Sequence, residues 1–178
     1  PFLAHATMEP LNATALFDGA RLQLWSGNQG PMLTRNHCAE ALGIDPVQVE
    51  VHTTLMGGGF GRRGEMDFSV YAARLAQALQ GTPVQLTWSR EEDMTHDFYR
   101  PGAMARMRGA VKDGTALLLD GKVSSQSTVA QAMGRWMGFA PGGPDTAIVD
   151  GMFNQPYAIP NFRVQGYAAD LQVPVGFW

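Results

Sequence analysis

Cysteine is almost missing. The 178 residues contain one, Cys38, which excludes an internal disulfide framework and a cysteine-based metal site. Charge is scarce as well, at 16% of residues, and its 13 basic and 16 acidic side chains leave a net charge of −3. The basic residues are scattered along the chain, which argues against nucleic-acid binding driven by phosphate charge. No run approaches the roughly 20 uninterrupted apolar residues that a membrane-spanning helix needs. No Gly-Lys-Ser/Thr follows any glycine loop, so the phosphate-binding loop of nucleotide hydrolases is excluded. What is present suffices to fold: 45% of residues are hydrophobic, which rules out wholesale disorder, and the length is that of one domain with a buried core.

Periodicity gives an α+β layout, a two-layer α/β domain with a mixed sheet, containing a hairpin and a βαβ unit. Asn12–Phe17 and Arg21–Trp25 flank Asp18-Gly19, a hairpin signal. Pro31 opens a helix that Gly43 closes, with Cys38, Ala39 and Leu42 on its apolar stripe. Val47, Val49 and Val51 alternate with polar residues as a half-buried strand. Phe68, Ala72, Leu75 and Leu79 recur at helical spacing, and Val84–Trp88 reads as another strand. Strand, glycine loop, helix and strand form the βαβ unit, whose two strands are expected to be parallel neighbours. Ala103–Val111 and Leu117–Ser124 form a second hairpin around Asp113-Gly114, residues 128–162 read as loop, and Arg163–Asp170 as a last strand. No linker divides the chain, so residues 1–178 are read as a single domain. Pro1 in place of Met, and the apolar close Val173–Trp178, read as a piece of a longer chain whose tail should bury against something else.

The densest local feature is Met56-Gly57-Gly58-Gly59-Phe60-Gly61-Arg62-Arg63-Gly64. Glycines without Cβ let backbone N–H groups converge on an anion or oxo ligand, and a loop opening a helix is a phosphate seat. Gly59-x-Gly61-x-x-Gly64 also matches the dinucleotide fingerprint, so an NAD- or FAD-binding domain is the rival, and a cofactor-free interaction module is a third reading. Against the rival, the second strand ends Trp88-Ser89-Arg90, without the acidic residue that holds a ribose.

Ala4-His5-Ala6-Thr7-Met8-Glu9-Pro10-Leu11-Asn12, then Trp25-Ser26-Gly27-Asn28-Gln29, then Met56–Gly61, and finally Val173–Trp178, resemble the molybdopterin-binding large subunit of the xanthine dehydrogenase/aldehyde oxidase family. The likeness points in particular to its bacterial isoquinoline 1-oxidoreductase β-subunit type. The resemblance implies a molybdenum hydroxylase that oxidises an aldehyde or N-heterocycle with oxygen from water, using molybdopterin in its cytosine dinucleotide form. It implies partners: the remaining domains of the large subunit and a small iron–sulfur subunit. Gln29 matches the glutamine whose amide approaches an oxo ligand of molybdenum. Gly58, Gly59, Phe60 and Gly61 match the loop whose amides face the cofactor, and Arg62 follows as a candidate phosphate contact. The metal is held by the pterin, so no side chain here is expected to ligate it. The family's substrate-orienting glutamate falls on Gly64, with Glu65 beside it. Its general-base glutamate has no counterpart within these residues, so no catalytic residue is assigned and the piece alone is expected to be inactive and to lack the cofactor. The compartment, bacterial cytoplasm or periplasm, stays open.

Other residues have plainer readings. His5 and Glu9 could share a divalent metal only on a helix, which Pro10 discourages. His96-Asp97 are neighbours in sequence, which rarely makes an acid/base pair. Arg63 is read as a phosphate contact or a solvated side chain, Arg90–Asp93 as a solvated helix start, and the ten methionines as filling.

Overall fold

The computed structural model describes residues 2–178, which divide by packing into two compact units. The first comprises residues 4–97 with Trp178, and the second residues 98–177 with 2–3.

The first unit is a four-stranded mixed sheet with helices on it. Strands β1 (Asn12–Phe17), β2 (Leu22–Ser26), β3 (Val49–Thr53) and β4 (Val84–Thr87) lie in the order β3-β2-β1-β4. The β1–β2 hairpin forms as the Asp-Gly signal predicts. Gly19 takes φ 101°, and Asp18 Oδ1 accepts from the N–H groups of Ala20 and Arg21. Antiparallel register sets Ala15 opposite Leu24 and Phe17 opposite Leu22, so their buried side chains share one face. Helices α1 (Pro31–Leu42) and α2 (Asp67–Ala78) cover that face. Alanines on both partners, Ala13 and Ala15 below and Ala72, Ala73 and Ala76 above, let α2 lie close over β1. Gly43, at φ 70°, ends α1 while Gly43 and Ile44 N–H return to the carbonyls of Glu40 and Ala39, a Schellman closure.

Three expectations need correction. The strands on either side of the glycine loop, β3 and β4, run in the same direction but are not neighbours. The β1–β2 hairpin lies between them, and β4 pairs antiparallel with β1. The paired βαβ unit is instead β2–α1–β3, whose strands are parallel. The α2 stripe is also rotated: Leu75 and Leu79 are 43% and 54% exposed while Ala73 and Ala76 are buried, because small residues suit the close helix–sheet contact. Val47 sits exposed in a 3-10 turn, Pro46–Gln48, capped by Asp45, and β3 begins only at Val49.

The second unit pairs β5 (Ala103–Lys112) with β6 (Thr115–Ser125) in the expected hairpin. Asp113 and Gly114 both take positive φ, 49° and 75°, as a twisted two-residue turn requires. Strand β7 (Asn161–Ala168) adds to β6 in parallel. Helix α4 (Thr128–Met137), which follows the short α3 (Arg90–Thr95) of the first unit, occupies the region read as loop. Ser127 caps its start through Ala130 N–H, and Gly138 at φ 74° ends it. The tail is buried in part, with Trp178 still 54% exposed. Val175 is fully buried within this unit, its N–H donating to Gln131 and its carbonyl accepting from Arg135, while Gln126 holds the Val173 carbonyl. The basic residues are not all scattered in space, since Arg106, Arg108, Lys122 and Arg163 share one sheet face around Asp120. Among the described residues no helix is long and apolar enough to cross a membrane.

Candidate functional site

The glycine loop joins β3 to α2 and folds back over the end of β2, where Gln29 sits. Its backbone is far from ordinary. Gly58 and Gly61 take φ 102° and 101°, and Phe60, at φ 53°, is one of three described non-glycine residues with positive φ. A bulky side chain in that region signals a conformation imposed by its surroundings. The chain then makes one 3-10 turn, Arg62–Gly64, and α2 begins only at Asp67.

Gln29 is fastened to this loop twice. Its N–H donates to the Arg63 carbonyl at 2.8 Å, and its side-chain Oε1 accepts from Gly61 N–H at 3.0 Å. With the oxygen taken, the amide NH2 of Gln29 has no acceptor among the described residues and is the donor left beside the loop. The N–H groups of Gly58, Gly59 and Phe60 likewise have no acceptor among the described residues. A run of unengaged backbone donors with one amide beside it suits an oxygen-rich anionic or oxo group. The expectation for Gly61 changes, because its N–H is consumed by Gln29. Gly59 is required here for a specific reason: a Cβ would stand 2.6 Å from Gln29 Oε1 and 2.8 Å from its Cδ. Phe60 is 64% exposed, and its ring lies beside Gly58.

Arg62 and Arg63 differ from the sequence reading. Both are 1% exposed, so neither guanidinium is solvated. Arg62 makes a two-pronged pair with Asp67, at 3.0 and 2.7 Å, and its Nε lies 2.9 Å from Asp97. Its burial opposes the charge, but Asp67, Asp97 and the buried Glu65 outweigh that and raise its pKa. The Arg62 side chain is thus turned inward, away from any phosphate in solvent, and its N–H closes the loop on the Gly59 carbonyl at 2.9 Å. Glu65 is 4% exposed and faces the Arg62 charge.

His5 and Glu9 do not meet. His5 Nδ1 lies 3.0 Å from Asp97, whose second oxygen also accepts the His5 N–H, and the Trp178 ring lies 5.0 Å away. Burial pushes the Asp97 carboxyl up, but the His5 bonds and Arg62 together hold it below its ordinary value. His96 turns away from Asp97, its Nδ1 3.4 Å from Glu92 and its ring 5.1 Å from Trp88. Arg90–Asp93 begins α3 as expected, though Asp93 is buried and bound by Arg90. Among the described residues no group of three potential ligands could hold a metal ion.

Glu9, read from the sequence only as a metal partner for His5, grips the loop. Its N–H donates to the Gly57 carbonyl at 3.2 Å and its carboxylate accepts the Gly57 N–H and the Asn12 amide. Burial pushes that carboxyl up, but these bonds and Arg63 leave it below the usual range. A Cβ at Gly57 would fall 2.5 Å from the Cβ of Glu9. No sequence signal links residues 48 positions apart. For Arg63 a faint one existed, since a second arginine in a glycine loop invites the question of which carbonyls it could reach.

The profile of the molybdopterin cofactor-binding domain matches residues 1–175. The chain belongs to this family. Isoquinoline 1-oxidoreductase subunit beta of Brevundimonas diminuta is 37% identical over 130 residues, 71% of this chain and 16% of that protein. The aldehyde oxidoreductase molybdenum-binding subunit of Escherichia coli K12 is 29% identical over 150 residues, 83% of this chain and 19% of that protein. The crystal structure of quinoline 2-oxidoreductase from Pseudomonas putida 86 shares the fold, with a TM-score of 0.71 at 22% identity over 99% of this chain and 22% of that one. The chain therefore spans about a fifth or less of the curated relatives it matches.

Proposed function

We propose that this chain forms one wall of the molybdenum–pterin site in a molybdenum hydroxylase large subunit, with residues 1–178 serving together as one molybdopterin-binding-type domain. The observation that carries this reading is the seating of Gln29 on the glycine loop, its amide donor left beside the donors of Gly58, Gly59 and Phe60. The family match through residue 175 supports it. When bound, the molybdopterin, in its cytosine dinucleotide form, supplies the two-electron chemistry by which an aldehyde or N-heterocycle carbon gains oxygen from water. This chain's own residues bind and orient. The loop N–H groups and the Gln29 amide donate to oxygens of the cofactor, the exposed Phe60 ring lines the pocket, and Gly61 and Arg62 act through the backbone by holding Gln29 and Gly59 in place. The general base, the remaining domains and an iron–sulfur subunit complete the enzyme, so the chain alone is expected to be inactive and free of stoichiometric molybdenum.

Two features count against the dinucleotide reading of Gly59-x-Gly61-x-x-Gly64. A 3-10 turn separates the glycines from the start of α2 at Asp67, so the helix N-terminus does not open on the loop. The strands flanking the loop and helix are also not adjacent, unlike those of the βαβ unit that carries this fingerprint.

The test is Gln29→Leu in the intact holoenzyme. Leucine keeps the bulk but removes an oriented donor, which commonly costs about 10²–10³ in rate, or roughly 3–4 kcal/mol. Molybdenum per chain is expected to remain near that of the parent while turnover falls by that factor. Full activity in the variant removes Gln29 from the site.

A further inference from the structure

We propose that Arg63, braced by Glu9, is the positioning residue that gives the glycine loop its shape and holds Gln29 against it; this rests on the reading of the loop as a cofactor wall. Glycine-rich backbone has the most conformational freedom to lose and cannot fix its own geometry. Something outside the glycines must hold Gly58 and Gly61 at positive φ and keep Phe60 there as well.

Arg63 is placed to do this. Its side chain is 0% exposed and its donors reach three carbonyls from three separate segments. Nε donates to Gly58 in the loop at 2.8 Å, Nη1 to Gly27 before Gln29 at 3.1 Å, and Nη2 to Glu9 at 2.9 Å. Its own carbonyl takes the Gln29 N–H at 2.8 Å. Thus one residue binds Gln29 at its backbone, the strand end that carries Gln29, and the loop that Gln29 touches. Glu9 completes the clamp: its carboxylate lies 3.2 Å from Arg63 Nη2 and accepts the Gly57 N–H, balancing the buried charge while pinning the loop's first glycine. A planar fork of donors is what lets one side chain span three acceptors, and a lysine ammonium, though equally charged, has no such reach.

The contrast with Arg62 sharpens the assignment. Arg62 spends its guanidinium chiefly on carboxylates, Asp67 and Asp97, and so serves the packing of α2. Arg63 spends its guanidinium chiefly on backbone carbonyls and so serves the loop.

The experiment is hydrogen–deuterium exchange on the whole protein, comparing peptides that cover residues 57–61 with peptides that cover α2, together with molybdenum content. In Arg63→Lys, exchange at the Gly57 and Gly61 amides, the two in 57–61 that are hydrogen-bonded, is expected to rise at least about tenfold as Glu9 and Gln29 lose their hold on the loop, while α2 is unchanged. Glu9→Gln keeps the side-chain volume and an oxygen for Gly57, so a smaller rise is expected there; it also covers the case in which Arg63→Lys does not fold. Unchanged exchange in 57–61 overturns the proposal, and so does loosening of α2 in step with the loop, which would make Arg63 a residue of the general fold. A loosened loop with undiminished molybdenum content upholds the clamp and removes the cofactor-wall reading instead.

Discussion

Adding one methyl group at Gly59 should disturb the site far more than the fold. The new Cβ would lie 2.6 Å from Gln29 Oε1, 2.8 Å from Gln29 Cδ and 3.3 Å from Met56 Sδ. Ordinary heavy-atom contact is about 3.5–4.0 Å, so the Gln29 amide must retreat by about 1 Å. That movement stretches its 3.0 Å bond to Gly61 N–H past hydrogen-bonding range. The lost bond is worth about 1 kcal/mol net. Gly59 is not among the glycines at positive φ, so alanine fits its backbone, and restricting the unfolded chain returns about 0.4–1 kcal/mol. The two terms nearly cancel. Gly59→Ala is therefore expected to shift stability by less than about 1 kcal/mol while releasing Gly61 and turning the Gln29 amide away from the loop donors. The assay is a double-mutant cycle with Gln29→Ala, followed by chemical denaturation and by exchange at Gly61. Removing Gln29 also removes the clash, so the two substitutions should couple by about 1 kcal/mol, well outside the roughly 0.3–0.5 kcal/mol scatter of independent sites. Additive energies together with unchanged exchange at Gly61 would refute the reasoning and leave Gly59 as a plain connector.

Two further outcomes follow from buried or paired groups elsewhere. Cys38 is fully buried in α1 and its thiol is pushed up to about 12 by burial, so a maleimide at pH 8 should leave the native protein unlabelled and modify it in denaturant; stoichiometric labelling of native protein contradicts that. Asp120, gripped by Arg163 and Arg108, has its carboxyl held well below the usual range, so its contribution to stability is present above about pH 4 and is lost as pH falls through the depressed value. Asp120→Asn should accordingly destabilise the β5–β6–β7 sheet at pH 7 and much less near pH 2, and less in high salt because the arginines are exposed; an equal effect at both pH values would show that the pairing is not what matters.

How much of this the sequence could carry depends on the distance over which each signal acts. The β1–β2 hairpin, α1 with its Pro31 and Gly43 ends, and the β5–β6 hairpin are written in adjacent residues, and each appears where the turn chemistry puts it. The parallel neighbours of the βαβ unit are not so written. Which strand β3 joins depends on the hairpin that precedes it, and the loop-helix-strand pattern is the same whether β4 lies beside β3 or two strands away. Helix α4 is obscured for a different reason: Pro141–Pro144, Pro156 and Pro160 carry strong loop signals just after it, which outweigh the Ser127 cap and the Gly138 stop.

The site divides the same way. Gln29 and the glycines are candidates because short motifs carry them, and the structure adds the bond between Gln29 and Gly61 that no motif states. Of the residues that hold the loop, Glu9 is not legible in that role and Arg63 only faintly. Glu9 and Arg63 are 54 positions apart, and each has a separate reading by itself, Glu9 beside His5 as a metal candidate and Arg63 as a phosphate contact or a solvated base. Only the fold shows that the base is buried against three carbonyls and that the acid answers it. A burial of that kind is costly to a charge unless every donor finds a partner, so it persists where the geometry it enforces is needed. In this unit the geometry enforced is that of a loop whose own residues, four glycines and a phenylalanine at positive φ, are the least able to hold a shape unaided. The recognisable motif and the unrecognisable clamp are therefore two halves of one device: the glycines clear the space, and the buried arginine fixes its outline.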